Sequence, residues 1–237
     1  MLGPMPRSDL ASMASPGDAV AARPSRRLEF FFDCSSPWTY LAFHRVQDVI
    51  RATGAEVSWR PVLVGGVFNA VNRGLYEQRS RMAGALGESD SETSGAGRKA
   101  RYYVKDLADW ARLAGLRIGQ PPVFPVNSVR AMRGCFVAEE QGRLLDWVRA
   151  VFEKYWGDLQ DISQPEVLAA IAAGVGLDAD ALLAAIETRP YKDRLRANTD
   201  ELIARGGFGS PTMFVGGDDM YFGNDRLELV RAALERS

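Results

Sequence analysis

Leu28-Glu29-Phe30-Phe31-Phe32-Asp33-Cys34-Ser35-Ser36-Pro37-Trp38-Thr39-Tyr40-Leu41-Ala42 is the stretch whose reading decides the fold. Its apolar start, Leu28 to Asp33, predicts a short strand. Asp33 to Ser36 reads as a tight turn, and Pro37 is preset for the first position of a helix. That helix runs to about Thr53, with Leu41, Val46, Val49 and Ile50 on one apolar stripe, and Thr53-Gly54 ends it. Ser36 therefore stands at the helix cap, beside unpaired backbone N–H groups and the positive end of the helix dipole. Capping is the common use of a serine there. A cap hydroxyl can also donate to a bound anion.

Outward from this point, Ala55 to Val64 alternates and predicts a second strand, giving β-α-β. Gly65 to Gly74 reads as an irregular loop or a helix start. Gly84 to Gly97, small and polar, reads as a mobile loop. Helical patterns follow over Lys99–Ala114, Asn127–Gln141, Gly142–Tyr155, Gln164–Ala173 and Asp178–Ile186, with Pro121 to Pro125 a rigid extended connector between the first two. Tyr191–Arg205 is helical and stops at Gly206-Gly207. Thr212 to Val215 and Met220 to Phe222 form a hairpin around Gly216 to Asp219, and Arg226–Glu235 is the last helix. The order β-α-β, helices, α-β-β-α predicts an α/β chain, a thioredoxin-like fold with an inserted all-helical domain. Residues 1–27 are expected to be a flexible extension, 28–64 and 191–237 the thioredoxin-like domain, and 65–190 the helical insertion.

Composition narrows the function. The 237 residues are 46% hydrophobic, enough for a real core. With 29 basic against 30 acidic side chains, no basic excess exists to neutralise phosphates, which argues against a nucleic-acid partner. Cys34 and Cys135 lack CxxC spacing, so neither a disulfide framework nor a zinc site is expected. No apolar run spans a bilayer, and Met1 to Arg27 lacks the apolar region of a signal peptide. A reduced cytoplasmic setting is the expectation.

In a thioredoxin-type frame, Ser36 stands where the attacking cysteine would be. The motif Ser36-Pro37-Trp38-Thr39 keeps the anion-stabilising geometry without a dithiol, which suits holding another molecule's thiolate. Ser210-Pro211, just before a strand in the second half, is where this fold carries a cis proline; the Ser210 N–H and C=O are then expected free to pair with a peptide ligand. Gly223-Asn224-Asp225 turns sharply and caps the last helix; exposed N–H groups there suit a carboxylate, and Asp225 an amino group. Cys34 reads as a small, partly buried hydrophobe rather than a reactive thiol. Trp110, Trp147, Trp156 and Phe124 read as core of the helical block. His44, the one histidine, lies about two helical turns beyond Ser36, too far to be its base, so a hydrolase triad is not available.

The ordered set of the Asp33-to-Leu41 segment, Trp59-Arg60-Pro61-Val62-Leu63, Tyr103-Val104-Lys105-Asp106-Leu107 with Trp110, Phe124 to Ser128, Phe208 to Thr212 and Phe222 to Leu227 resembles the 2-hydroxychromene-2-carboxylate isomerase family, related to kappa-class glutathione transferases. The resemblance covers about Leu28 to the C-terminus. It implies glutathione as cofactor, with Ser36 stabilising its thiolate and Ser210, Pro211, Phe222, Gly223, Asn224 and Asp225 binding it. It further implies Phe68, Asn69 and Tyr102 on the aromatic-substrate side, and a homodimer. The expected reaction is isomerisation by reversible thiolate addition. A kappa-like transferase and a non-catalytic peptide binder are the alternatives, and a dithiol oxidoreductase fits worst.

Overall fold

Strand β1 (Arg27–Phe32), helix α1 (Pro37–Thr53) and strand β2 (Glu56–Pro61) make the opening unit in the computed structural model, which describes residues 26–71 and 95–236. The expected extension up to residue 25 and the span 72–94, with most of the Gly84 to Gly97 loop, lie outside the described residues. Ser36, with extended backbone, caps α1 by accepting from the Thr39 N–H. Gly54 ends it with φ 66°, a left-handed conformation that glycine adopts without a Cβ penalty, and its N–H closes on Ile50 O at 2.8 Å.

The chain continues through α2 (Val64–Val71), α3 (Gly95–Leu113), α4 (Val129–Glu140) and α5 (Leu144–Phe152). A π turn (Glu153–Gly157), α6 (Pro165–Gly174), α7 (Ala179–Ala185) and α8 (Arg189–Ala204) follow. Last come β3 (Thr212–Val215), β4 (Asp219–Phe222), a 3-10 turn (Asn224–Arg226) and α9 (Leu227–Arg236). The sheet is four-stranded in the order β2-β1-β3-β4. β1 pairs parallel with β2, Phe32 opposite Pro61, and antiparallel with β3, Phe31 opposite Thr212. The α/β thioredoxin-like fold with many inserted helices is thus as the sequence predicts.

Alternation along β1 divides the core between two faces. Leu28, Phe30 and Phe32 join a large cluster with Phe43, Val46, Trp147 and Phe152. Phe31 points the other way, against Val62, Val67, Leu202 and Phe214, where α2 packs on α8. Each such ring, fully buried, contributes about 1.5–3 kcal/mol relative to exposure. The larger cluster runs without a break from β1 and α1 through α4, α5 and α7 to α9.

Two local expectations need correction, and one open reading is decided. Gly95 to Gly97 belong to α3, not to a loop; of the two readings from Gly65 onward, loop or helix start, the helix holds, with Gly65 to Val71 within α2. The second strand ends at Pro61, and Val64 starts a helix instead of extending it. The cause is a buried carboxylate: Val62 N–H still bonds to Phe32 O, but Val64 N–H turns to Asp33 Oδ2 at 2.8 Å. Within the proline connector the Phe124–Pro125 bond is cis. No helix among the described residues is long and apolar enough to cross a membrane.

Candidate active site

The turn after β1 is fixed from beneath before any chemistry is placed on it. Asp33 is buried, and its carboxylate accepts from Ser35 N–H at 2.9 Å, from Val64 N–H at 2.8 Å and from the Ser128 side chain. Burial pushes its pKa up, and those donors oppose the shift. Cys34 is held by its backbone: its N–H meets Met132 Sδ at 3.4 Å and its carbonyl accepts the Trp156 indole N–H at 2.9 Å. Its thiol is wholly buried, which raises its pKa well above the usual value and leaves it protonated and inert. Cys135, equally buried, is also a free thiol.

Above this turn, two serines meet. Ser36 Oγ accepts from Thr39 N–H at 3.3 Å and donates to the Ser210 carbonyl at 3.1 Å. The Ser210–Pro211 bond is cis, as expected. Ser210 Oγ takes the Asp33 N–H at 3.0 Å and shares a hydrogen bond of 2.8 Å with Thr39 Oγ1. The expectation that both backbone groups of Ser210 stand free is therefore half corrected. Its carbonyl already receives the Ser36 hydroxyl, whereas its N–H has no partner among the described residues.

The turn after β4 lies against the same proline. Gly223 N–H donates to Pro211 O at 3.1 Å, and its φ of 102° is a conformation that side-chain-bearing residues rarely adopt. Asn224 is buried; its carbonyl and its Oδ1 both accept from Arg45 Nη1, at 3.0 and 2.9 Å. The Asn224 Nδ2 is buried without a partner among the described residues. Arg45 in turn lies 4.4 Å over the Trp110 ring. Asp225, expected to meet an amino group, pairs at the surface with Arg226 at 2.7 Å.

Aromatic rings flank the two serines. Phe208 and Phe222 sit 4.4 Å apart between centroids, both partly exposed. Phe222 covers the bare backbone of Gly209, where a Cβ would come within 2.8 Å of its ring and within 3.7 Å of Phe68. On the α1 side, Trp38 meets Tyr103 edge to face at 5.6 Å.

The family pattern for a DSBA-like thioredoxin domain matches residues 27–235. The chain belongs to this family. Among DSBA-like relatives, the 2-hydroxychromene-2-carboxylate isomerase of Sphingobium xenophagum is 29% identical over 212 residues, covering 89% of this chain and 98% of that protein. Glutathione S-transferase kappa 1 of Rattus norvegicus is 25% identical over 220 residues, covering 86% and 89% respectively. A solved selenomethionine structure of 2-hydroxychromene-2-carboxylate isomerase superposes with a TM-score of 0.71 at 26% identity, covering 89% of this chain and 95% of that one.

Within this DSBA-like domain, Ser36, Ser210, Pro211, Phe222, Gly223 and Phe68 come together, and Asn224 and Asp225 lie on the adjoining turn. Asn69 is exposed on α2. Tyr102 is 64% exposed on α3, and it is its neighbour Tyr103 that touches the motif through Trp38. Of the residues expected in the helical core, Trp147 and Trp156 are buried there. Phe124 is partly exposed at its edge and Trp110 serves Arg45. Sequence reading missed Arg45, Thr39, Ser128 and Met132. Of these only Thr39 carried a local signal, its place in the first turn of α1.

Proposed function

We propose that the chain is a glutathione-dependent isomerase of 2-hydroxychromene-2-carboxylate-type aromatic degradation intermediates. One observation carries the proposal. Ser36, partly exposed at the cap of α1, has a hydroxyl whose proton rests, among the described residues, only on the Ser210 carbonyl of the cis-proline loop, so it can turn to another acceptor. Relatives named as isomerase and as kappa transferase support it.

The residues present suit a small thiol peptide. Ser36 offers a hydroxyl to sulfur, and the unpartnered Ser210 N–H suits a peptide carbonyl. The Gly223-Asn224-Asp225 turn offers backbone N–H groups for a carboxylate, and the half-exposed Asp225 side chain for an amino group. Glutathione, when bound, would supply a thiolate nucleophile for reversible addition to an electrophilic carbon. Ser36 and the α1 dipole favour the ionised sulfur. Pro211 and Phe222 belong to the glutathione side, and Phe68, Asn69 and Tyr102 to the aromatic-substrate side. A homodimer in the cytoplasm completes the reading.

Replacing Ser36 by Ala removes the hydroxyl donor to the thiolate; kcat/KM is expected to fall about a hundredfold, with a raised pKa for the bound thiol. Unchanged turnover with an unchanged thiol pKa sinks the assignment. A kappa-like transferase is the second reading, favoured by the kappa relative. Labelled glutathione separates the two: label in free thiol supports isomerisation, label in a released conjugate supports transfer.

A further inference from the structure

Thr39 is the fourth residue of Ser36-Pro37-Trp38-Thr39, and nothing in the reaction as described uses its side chain. It is wholly buried, although its neighbours Trp38 and Ser36 are partly exposed. Among the described residues its hydroxyl meets one group, Ser210 Oγ, at 2.8 Å. Being β-branched and helical, threonine has few side-chain rotamers, so this hydroxyl is held in place by its own backbone.

Following the protons shows what the contact sets. Ser210 Oγ accepts the Asp33 N–H at 3.0 Å, so its side chain is gripped from the turn after β1 and from α1 together. That grip fixes the Ser210 backbone, whose carbonyl is the acceptor of the Ser36 proton at 3.1 Å. Thr39 also acts on Ser36 directly, since its own N–H is the donor to Ser36 Oγ at 3.3 Å. Ser36 can give its proton to a sulfur only by turning away from the Ser210 carbonyl, and the position of that carbonyl decides how hard the turn is. We propose that Thr39 is a positioning residue: its hydroxyl, paired with that of Ser210, holds the cis-proline carbonyl where Ser36 can exchange it for a thiolate.

This rests on the thiolate-holding role given to Ser36 above, and the test separates the two. Wild type, Thr39→Val, Thr39→Ser and Ser210→Ala are compared for glutathione-dependent turnover across pH. Val keeps the shape and loses the hydroxyl. The pH midpoint of kcat/KM is expected to rise by about one unit and kcat/KM at pH 7 to fall about tenfold, with KM for the aromatic substrate unchanged. Thr39→Ser restores the midpoint. Ser210→Ala loses the same bond and the Asp33 N–H contact besides, so its midpoint rises at least as far as that of Thr39→Val, and the double variant is no worse than Ser210→Ala alone. A purely structural threonine lowers Tm without moving the midpoint, and that result overturns the proposal while leaving Ser36 in place. If Thr39→Val does not fold, an unmoved midpoint in Ser210→Ala overturns it equally. A wild type with no glutathione-dependent turnover removes the underlying reading and this inference with it.

Discussion

His44 lies edge-on to Tyr40 and Phe43, with ring centroids 5.1 and 5.5 Å away. Its Nε2 is buried without a partner among the described residues. Burial, helped by Arg149, pushes its pKa down to about 4, from 6.5. Between those values the unfolded chain takes up a proton that the folded one refuses. The His44 contribution is therefore full above pH 6.5 and lost as pH falls towards 4. Asp33 works in the opposite sense: its raised pKa gives a contribution present below its ordinary 3.8 and lost as pH rises through the folded value. A His44→Gln variant isolates the first effect. From about pH 7 down to about 4.5 the denaturant midpoint of the wild type is expected to fall more steeply than that of the variant. The chain has a single histidine, so its imidazole proton signal in NMR needs no assignment. A titration midpoint near the ordinary histidine value, rather than about 4, contradicts this account.

Helix α4 meets α5 at Gly134 and Trp147, where the bare backbone of one lets the ring of the other approach. A Cβ at Gly134 would lie 2.5 Å from the Trp147 ring, which is fully buried and tied by its indole N–H to Ala131 O at 3.1 Å. Alanine gains about 1 kcal/mol of helix propensity over glycine, but overpacking a well-packed core costs about 1–3 kcal/mol. An anchored indole has nowhere to yield, so Gly134→Ala is expected to lower the urea midpoint without changing the m-value; a raised midpoint means the ring gives way. The same contact shows which elements a sequence reveals. Pro37 and Gly54 bracket α1 with local signals, and its bounds follow from them. Gly134 carries no sign that an indole from α5 needs its bare backbone, because the partner is set by packing and not by periodicity. Tyr102 and Tyr103 pose the same difficulty. Adjacent residues on an exposed helix differ only in rotational phase, and α3 turns Tyr103 to Trp38.

For the whole molecule, what was legible is the frame, and what was not is the set of long-range ties that lock it. Strand, cap, cis proline and closing turn each leave a short-range pattern, so Ser36, Ser210 and Gly223 could be read as one site. Trp156 on the Cys34 carbonyl and Arg45 on Asn224 join segments far apart in sequence, and neither residue differs locally from a core tryptophan or a surface arginine. The frame also makes a demand that can be tested directly. If cap, dipole and proline loop favour a thiolate at the Ser36 position, a thiol placed there must feel it. In the double variant Ser36→Cys/Thr39→Cys the two introduced thiols occupy the cap and the first turn of one helix, the second in the buried place that faces Ser210. Native Cys34 and Cys135 stay out of the chemistry, because burial raises both their pKa values. The thiol introduced at the cap is expected to titrate well below the ordinary value of about 8.5, read by thiolate absorbance. Oxidised glutathione is expected to close a reversible disulfide between the two introduced thiols, read by counting free thiols, while isomerase turnover is lost with the Ser36 hydroxyl. A cap thiol that titrates like a free one shows that the frame confers no preference for the anion, and the role given to Ser36 then rests on its hydroxyl alone.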